Sequence, residues 1–287
     1  MSASGSLLLP AKPGVNTGVF GRLQWPIIHG AAYILQQSPA ELRREAAPLF
    51  ATMLRAVQKT MPCRFCRRSF RHFLEEEMEA TGVTAPEQWV DGGTVFDVTV
   101  SLHDRVSAKL DCQRYKVCGL RSRRVPDETL LKVHRALTSY YTPRVVFDLL
   151  MIYAYNLDVL CEGGDGAFED EACDVAEARA ALCDLVQVMA PMLRIQAEFD
   201  ARMSGFVTPE ARDCLHAAAA IERASAEMRE DIAASSSSAL FDSIFSLYLT
   251  CAAGEGEGEV DIEAARDAVL VKLLAAASHQ CAQETCV

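Results

Sequence analysis

Two cysteines three residues apart are the first feature of the sequence that could do chemistry. Cys63 and Cys66 form a C-x-x-C pair directly after Pro62, and proline is favoured at the first position of a helix. Unpaired N–H groups and the positive dipole end there stabilise a thiolate. Further positive charge comes from Arg64, Arg67 and Arg68. The pair is therefore suited to forming, breaking and exchanging a disulfide.

The spacing alone leaves other interpretations open. A C-x-x-C pair is also half of a zinc site, or simply two core thiols. A zinc site needs a second Cys or His pair, and the next cysteines, Cys112 and Cys118, are six residues apart and 46 residues further on. A thioredoxin-like pair would follow a strand, whereas residues 49–60 have helical spacing. The interpretation depends on what flanks the pair.

An aromatic face precedes the cysteines. Within residues 21–35 the apolar side chains recur at helical spacing, and Trp25 and His29 lie one turn apart on one face. Tyr33 extends that face, and Arg22 lies one turn before Pro26. Two interpretations remain: an aromatic core stripe with one satisfied histidine, or a stacking wall for a planar ligand with Arg22 near a phosphate.

Further helices are needed to position these groups. The pattern predicts helices over 39–60, 62–80 and 98–110, and a loop over 81–97 that contains a short helix at Trp89. The acidic end of the 62–80 helix, E-E-E-M-E, is predicted to be a solvated face.

Composition limits the function classes. The net charge is −11, but residues 1–125 hold 17 Lys+Arg and 11 Asp+Glu, whereas residues 126–287 hold 11 and 28. The acidic second half argues against nucleic-acid binding, and the basic first half suits an anionic cofactor. No secretory signal is visible, which favours a cytoplasmic protein with reduced thiols. The apolar run 143–160 is interrupted by polar residues, so we expect a buried helix there and no membrane span.

Three blocks around the C-x-x-C resemble the Erv/ALR family of flavin-dependent sulfhydryl oxidases. The first block, G-R-x-x-W-x-x-[LI]-H, is matched by Gly21, Arg22, Trp25, Ile28 and His29. The second, P-C-x-x-C, is matched by Pro62, Cys63 and Cys66. The third, H-N-x-V-N-x-K-L, is matched by His103, Val106, Lys109 and Leu110, with Tyr115 as a following aromatic. Asp104 and Ser107 replace its two asparagines, and Cys112 replaces a basic residue.

The resemblance implies an FAD site and a reaction. Cys66 would lie against the isoalloxazine ring, and Cys63 would exchange with substrate thiols. The residues implied in FAD binding are Arg22, Trp25, His29, Tyr33, His103, Asp104, Val106, Ser107, Lys109 and Tyr115. A protein dithiol would become a disulfide, and electrons would pass through Cys63–Cys66 and FAD to O2, giving H2O2. No metal is implied.

The expected fold is all-α. A four- or five-helix FAD-binding bundle at 17–125 follows a flexible arm at 1–16, and a helical domain of unknown role spans 126–280 before a cysteine-containing tail at 281–287. Within the second half, helical spacing predicts helices at 127–142, 143–160, 172–190, 192–203, 208–232, 238–251 and 260–279.

The tail holds a second cysteine pair. Family members often carry such a pair on a terminal arm that shuttles electrons to the flavin-proximal cysteines, which makes Cys281–Cys286 the leading shuttle and Cys112–Cys118 the second choice. Such arms commonly serve the partner subunit, so we expect a homodimer. The absent signal peptide and the extra domain resemble enzymes of large DNA viruses, which would place the protein in host cytoplasm or virus factories and possibly in the virion.

Two alternatives come from other classes. The substitutions at Asp104, Ser107 and Cys112 favour a helical interaction module that kept the fold and lost the flavin. A zinc-stapled helical adaptor is the other. Flavin colour and zinc content distinguish the three.

Overall fold

The described part of the chain is entirely helical. The computed structural model describes residues 17–115, 139, 141–163, 175–234, 240–252 and 262–277, and these residues contain ten helices and no strand. The all-α prediction is confirmed for them. The arm at 1–16, the tail at 281–287 and nearly all of the predicted helix at 127–142 lie outside the described residues.

The first five helices match the predicted bundle closely. They are α1 (Thr17–Gln36), α2 (Ala40–Thr60), α3 (Arg64–Thr81), α4 (Glu87–Asp91) and α5 (Val95–Tyr115). Helix α3 ends at Gly82, whose φ of 69° is a left-handed conformation that glycine adopts without a steric cost. The short α4 contains Trp89, as predicted.

The second half supplies five more helices. They are α6 (Pro143–Gly163), α7 (Val175–Ser204), α8 (Pro209–Ala234), α9 (Leu240–Ala252) and α10 (Ile262–Ala277). The predicted break between 172–190 and 192–203 is wrong, because α7 runs through Pro191. A proline inside a helix costs about 3 kcal/mol, and the long buried face of α7 offsets that cost.

The core is continuous across the predicted boundary at residue 125. Helix α7 packs against both α8 and α2, and α6 packs against α9 and α1. Buried side chains from both halves, such as Leu35, Leu54, Tyr153 and Leu185, belong to one hydrophobic cluster. Helix α1 therefore contacts α5 on one side and α6 on another.

The apolar run 143–160 forms most of α6 and is buried, as predicted. Asp158 in this helix is 6% exposed and accepts the backbone N–H groups of Leu240 and Phe241 at 3.3 and 2.8 Å, which caps the start of α9. Burial raises the pKa of Asp158 to about 6, against the lowering effect of these bonds and of Arg179. Among the described helices, none is both long and apolar enough to cross a membrane.

Helices α1 and α6 approach closely at one glycine. A Cβ at Gly30 would lie 2.4 Å from Cβ of Tyr141, which is far inside contact distance, and Tyr141 is 3% exposed. The Tyr141 ring therefore occupies the space that any larger residue at position 30 would need. Gly21, in the same helix, has nothing within 4 Å of such a Cβ.

These two glycines predict opposite responses to one substitution. Gly30→Ala is expected to lower the free energy of unfolding by about 1–3 kcal/mol, because the added methyl forces α1 and Tyr141 apart. Gly21→Ala, the matched control, is expected to raise it by up to about 1 kcal/mol through helix propensity alone. Urea denaturation measures both. A Gly30→Ala protein as stable as the Gly21→Ala protein would contradict the close packing of α1 on Tyr141.

Candidate functional site

The C-x-x-C pair lies at the start of α3. Cys63 is the N-cap residue, with φ −94° and ψ 116°, and its Sγ accepts the backbone N–H of Cys66 at 3.3 Å. The helix begins at Arg64, so Pro62 precedes the cap. The sequence had suggested instead that Pro62 takes the first helical position. The first sulfur thus receives the N–H groups and the dipole end that stabilise a thiolate.

One of the three nearby arginines is buried against this turn. Arg67 is 4% exposed, and its Nη1 donates to the carbonyl oxygen of Met61 at 2.7 Å. The Arg67 backbone N–H also donates to the carbonyl of Cys63. Arg68 is exposed. Of these two arginines, Arg67 is therefore the cation that water screens less.

Three aromatic rings from α1 and α5 form a stacked cluster. Trp25 lies against His103 with ring centroids 4.0 Å apart and planes 8° from parallel. His29 lies 5.4 Å from Trp25 and is fully buried, whereas His103 is half-buried. Phe70, one turn after Cys66 on α3, is 6.2 Å from Trp25. The cluster therefore connects the first and third sequence blocks, and Phe70 connects it to the cysteine helix.

Hydrogen bonds determine which nitrogen of each histidine carries a proton. Thr99 donates its hydroxyl to the carbonyl of Phe96 at 2.8 Å, so its oxygen accepts from Nδ1 of His29 at 3.2 Å. Nε2 of neutral His29 is then the acceptor for Nδ1–H of His103, at 2.9 Å. The result is a directed chain from His103 through His29 and Thr99 to the backbone. It leaves Nε2 of neutral His103 as an acceptor.

The remaining predicted residues on α5 line a more open face. Asp104, Val106, Ser107 and Lys109 are all half-buried, and Nζ of Lys109 donates to Oγ of Ser69 on α3. Arg22 on α1 is exposed. Arg22 and Lys109 contribute positive charge on α1 and α5, which suits an anionic ligand.

Several predicted residues fall elsewhere or outside the described atoms. Tyr33 packs edge-on against Phe96 and Phe199, at centroid distances of 5.4 and 6.3 Å, and Phe199 belongs to α7. The side chains of Tyr115 and Cys112, and residues Cys118, Cys281 and Cys286, lie outside the described part. Neither proposed shuttle pair can therefore be placed.

The acidic end of α3 is not wholly solvated, which corrects the sequence prediction. Glu77 is 4% exposed, and it accepts a hydrogen bond from Oγ of Ser101 at 2.7 Å and another from Arg105. Arg105 also donates to Glu76 at 2.9 Å. These bonds hold α3 against α5, so part of the acidic run fixes the spacing between the cysteine helix and the His103 helix.

Two residues next to the cysteines were missed by sequence reasoning. The hydroxyl of Tyr153, on α6, donates to Oε1 of Gln24 at 2.7 Å, and both side chains are buried. Burial first, and the charge of the Cys66 thiolate second, raise the pKa of Tyr153 well above its ordinary value. The two residues are 129 positions apart, and no local pattern connects them. Thr99 was also missed, although it lies one turn before His103 on α5.

Comparison of the chain with protein-family models, with curated proteins and with solved structures finds no match.

The hydrogen-bond chain predicts a definite tautomer. At a pH above the ordinary histidine value of about 6.5, His29 and His103 are both expected to carry their proton on Nδ1. Long-range 1H–15N NMR of histidine-labelled protein measures this directly. Thr99→Val, which removes the acceptor, is expected to abolish the Nδ1–H preference of His29, whereas Thr99→Ser preserves it. An Nε2–H tautomer of His29 in the parent protein would contradict the chain.

Proposed function

We propose that the chain is an FAD-dependent sulfhydryl oxidase that makes disulfides in protein dithiols. The supporting observation is that α1, α3 and α5 bring three separated sequence blocks together. Helix α3, which begins at the C-x-x-C, places Phe70 6.2 Å from Trp25 in the ring cluster of Trp25, His29 and His103. The hydroxyl of Tyr153 donates to Gln24, the neighbour of Trp25. After burial, the charge of Cys66 is the second cause that raises the pKa of Tyr153.

The thiol chemistry is an exchange that the helix start favours. A substrate thiolate attacks the Cys63 sulfur of an oxidised Cys63–Cys66 pair, forming a mixed disulfide and releasing Cys66 as a thiolate. A second substrate thiolate attacks the substrate sulfur of the mixed disulfide, which releases Cys63 and leaves the substrate oxidised. The N-cap position of Cys63, whose Sγ accepts the backbone N–H of Cys66, would stabilise the Cys63 thiolate when it leaves.

The side chains fit FAD in their chemistry. Rings closed at 4.0 Å admit no further ring between Trp25 and His103, so the groups that would hold the cofactor are those with an open face: His103, Asp104, Val106, Ser107 and Lys109 on α5, and Arg22 on α1. Trp25 and His29 would support them from the buried side. Bound FAD would supply the two-electron acceptor for the Cys63–Cys66 dithiol, with O2 as the final acceptor and H2O2 as the product.

His103 has a specific part in this site. Because His29 accepts its Nδ1–H, the ring is held in one orientation against Trp25. Lys109 and Arg22 contribute positive charge, which suits a diphosphate.

A flavin-free helical interaction module is the second candidate. It is favoured by the closed packing of Trp25 on His103 and by the complete burial of His29, because these groups are satisfied without a ligand. For the zinc adaptor there is less support: within the described part of the chain, no three His, Cys, Asp or Glu side chains are grouped as a metal site.

Activity is expected to depend on the proximal cysteines. Cys63→Ser and Cys66→Ser should each reduce oxygen consumption with dithiothreitol to background while the purified protein stays yellow. Cys251→Ser is the matched control, since Cys251 is a half-buried thiol on α9 whose pKa burial raises to about 11, and it should keep full activity. A colourless parent protein would favour the interaction module, and full activity in either proximal mutant would refute the exchange.

The tail cysteines should matter only for large substrates. A Cys281→Ser/Cys286→Ser variant is expected to keep activity on dithiothreitol, which reaches Cys63 directly, and to lose it on a protein dithiol. If the arm serves a partner subunit, mixing this variant with a Cys63→Ser/Cys66→Ser variant under subunit exchange should restore part of that activity. Equal retention of activity on both substrates would exclude a shuttle role.

A further inference from the structure

A cavity distinct from the cysteine site lies where α1, α7 and α8 meet. Its volume is about 540 Å³, within the range of small-molecule sites. Tyr33 of α1, Phe199 and Met203 of α7, and Tyr141 contribute aromatic and apolar walls. The size and the walls suit an organic molecule better than a bare ion.

Two polar atoms at the cavity have no protein partner. Tyr141 is 3% exposed, and its hydroxyl makes no hydrogen bond to a protein group. Gln196 donates its Nε2–H to Asp200 at 2.8 Å, but its buried Oε1 is also without a partner. Buried polar groups are nearly always paired, so an orphaned hydroxyl and an orphaned carbonyl at one cavity indicate a ligand that has N–H groups to donate.

The charge at the cavity has one sign. Asp200, Glu210 and Asp213 line it, and among the lining residues that the structure describes none is Lys, Arg or His. Burial and Glu210 raise the pKa of Asp200. Burial first, and then the charges of Asp200, Asp213 and Glu210, raise the pKa of Cys214 at the cavity wall to about 12. A cation is the ligand that such a cluster favours.

An exposed apolar patch adjoins the cavity at the turn between α7 and α8. Met203, Phe206 and Val207 are 73, 65 and 53% exposed, although such residues are usually covered. Met203 also lines the cavity. A ligand with an apolar body could cover part of this patch while its charged end reaches the carboxylates.

We propose that this cavity binds an organic cation, an ammonium or guanidinium group on an apolar stem. The cationic end lies between Gln196 and the carboxylates of Asp200 and Asp213, and the stem lies against Phe199 and Met203. A free amine and a lysine or arginine side chain of a protein share this chemistry. The site is independent of the thiol chemistry.

Three probes of one shape test the charge preference. Calorimetry of the full chain with 2-phenylethylamine, 2-phenylethanol and 3-phenylpropionate is expected to rank them in that order, with the amine at least about fivefold tighter than the alcohol, as partly exposed ion pairs allow. An alcohol that binds as tightly as the amine would overturn the proposed cation selectivity. Absence of binding for all three would overturn the site.

Variants locate the binding. Asp213→Asn should weaken the amine about fivefold and leave the alcohol unchanged, whereas Glu79→Gln, an exposed carboxylate on α3, should change neither. Because carboxylates also stabilise the start of α8, binding and not stability is the measurement. Equal weakening of the amine by both variants would show a general charge effect and refute the site.

Tyr141→Phe separates a ligand role from a structural one. Removing an unpaired buried hydroxyl should leave the melting temperature equal or higher. It should nevertheless weaken the binding of every probe that hydrogen-bonds to this hydroxyl. A lower melting temperature with unchanged binding would show that the hydroxyl only supports packing. A peptide pair then tests the source of the cation. Acetyl-Phe-Lys-amide is compared with acetyl-Phe-norleucine-amide, which lacks the charge, and with the free amine. Tighter binding of the lysine peptide than of the free amine assigns the site to a protein side chain, and the reverse assigns it to a small molecule.

Discussion

The structure depends on how closely α6 approaches α1. Gly30 permits this approach, because Tyr141, which lies just before α6 begins, occupies the space of a side chain at that position. The bond from Tyr153 on α6 to Gln24 holds α6 itself against α1. Helix α1 thus uses one face for the Trp25 ring cluster and another for the second half of the chain. Loss of the α6 contact would expose α1 on the side away from the Trp25 ring cluster.

The same arrangement shapes the electrostatics of the cysteine site. Tyr153 comes from the half of the chain that carries most of the negative charge, yet it presents only a neutral phenol close to Cys66. The hydroxyl of Tyr153 donates its proton to Oε1 of Gln24. The phenol therefore does not replace the backbone N–H of Cys66 as the donor to Sγ of Cys63.

Sequence patterns predicted the helices and the composition of the ring cluster, because helical spacing and i, i+4 pairs are local. Trp25 and His29 could be assigned to one face from spacing alone, and the match of blocks supplied His103. Thr99, Tyr153 and Gln24 could not be predicted, because their roles arise from contacts across 70 and 129 residues. The break at Pro191 was wrongly predicted because the rule for proline omits the burial that a long helix gains on both sides. Glu77 was misplaced because an acidic run on a helix end resembles a solvated face until α5 supplies Ser101 and Arg105.

The cavity and the cysteine site both use helix α1, but no mechanism couples them. Tyr33 borders the cavity and touches Phe96, and Phe96 touches His29 edge-on at 5.9 Å, so rings connect the two places without interruption. Contact alone transmits nothing, since coupling requires an element with two arrangements that both sites bias. Helix α1 is held at Gln24 by the hydrogen bond from Tyr153 and at Gly30 by the packing of Tyr141, and both contacts lie between or beside the two sites. A ligand at Tyr33 that moved the helix axis would have to break both contacts. The ring path is therefore a packed wall between two sites, and occupancy of the cavity should leave the tautomer of His29 unchanged.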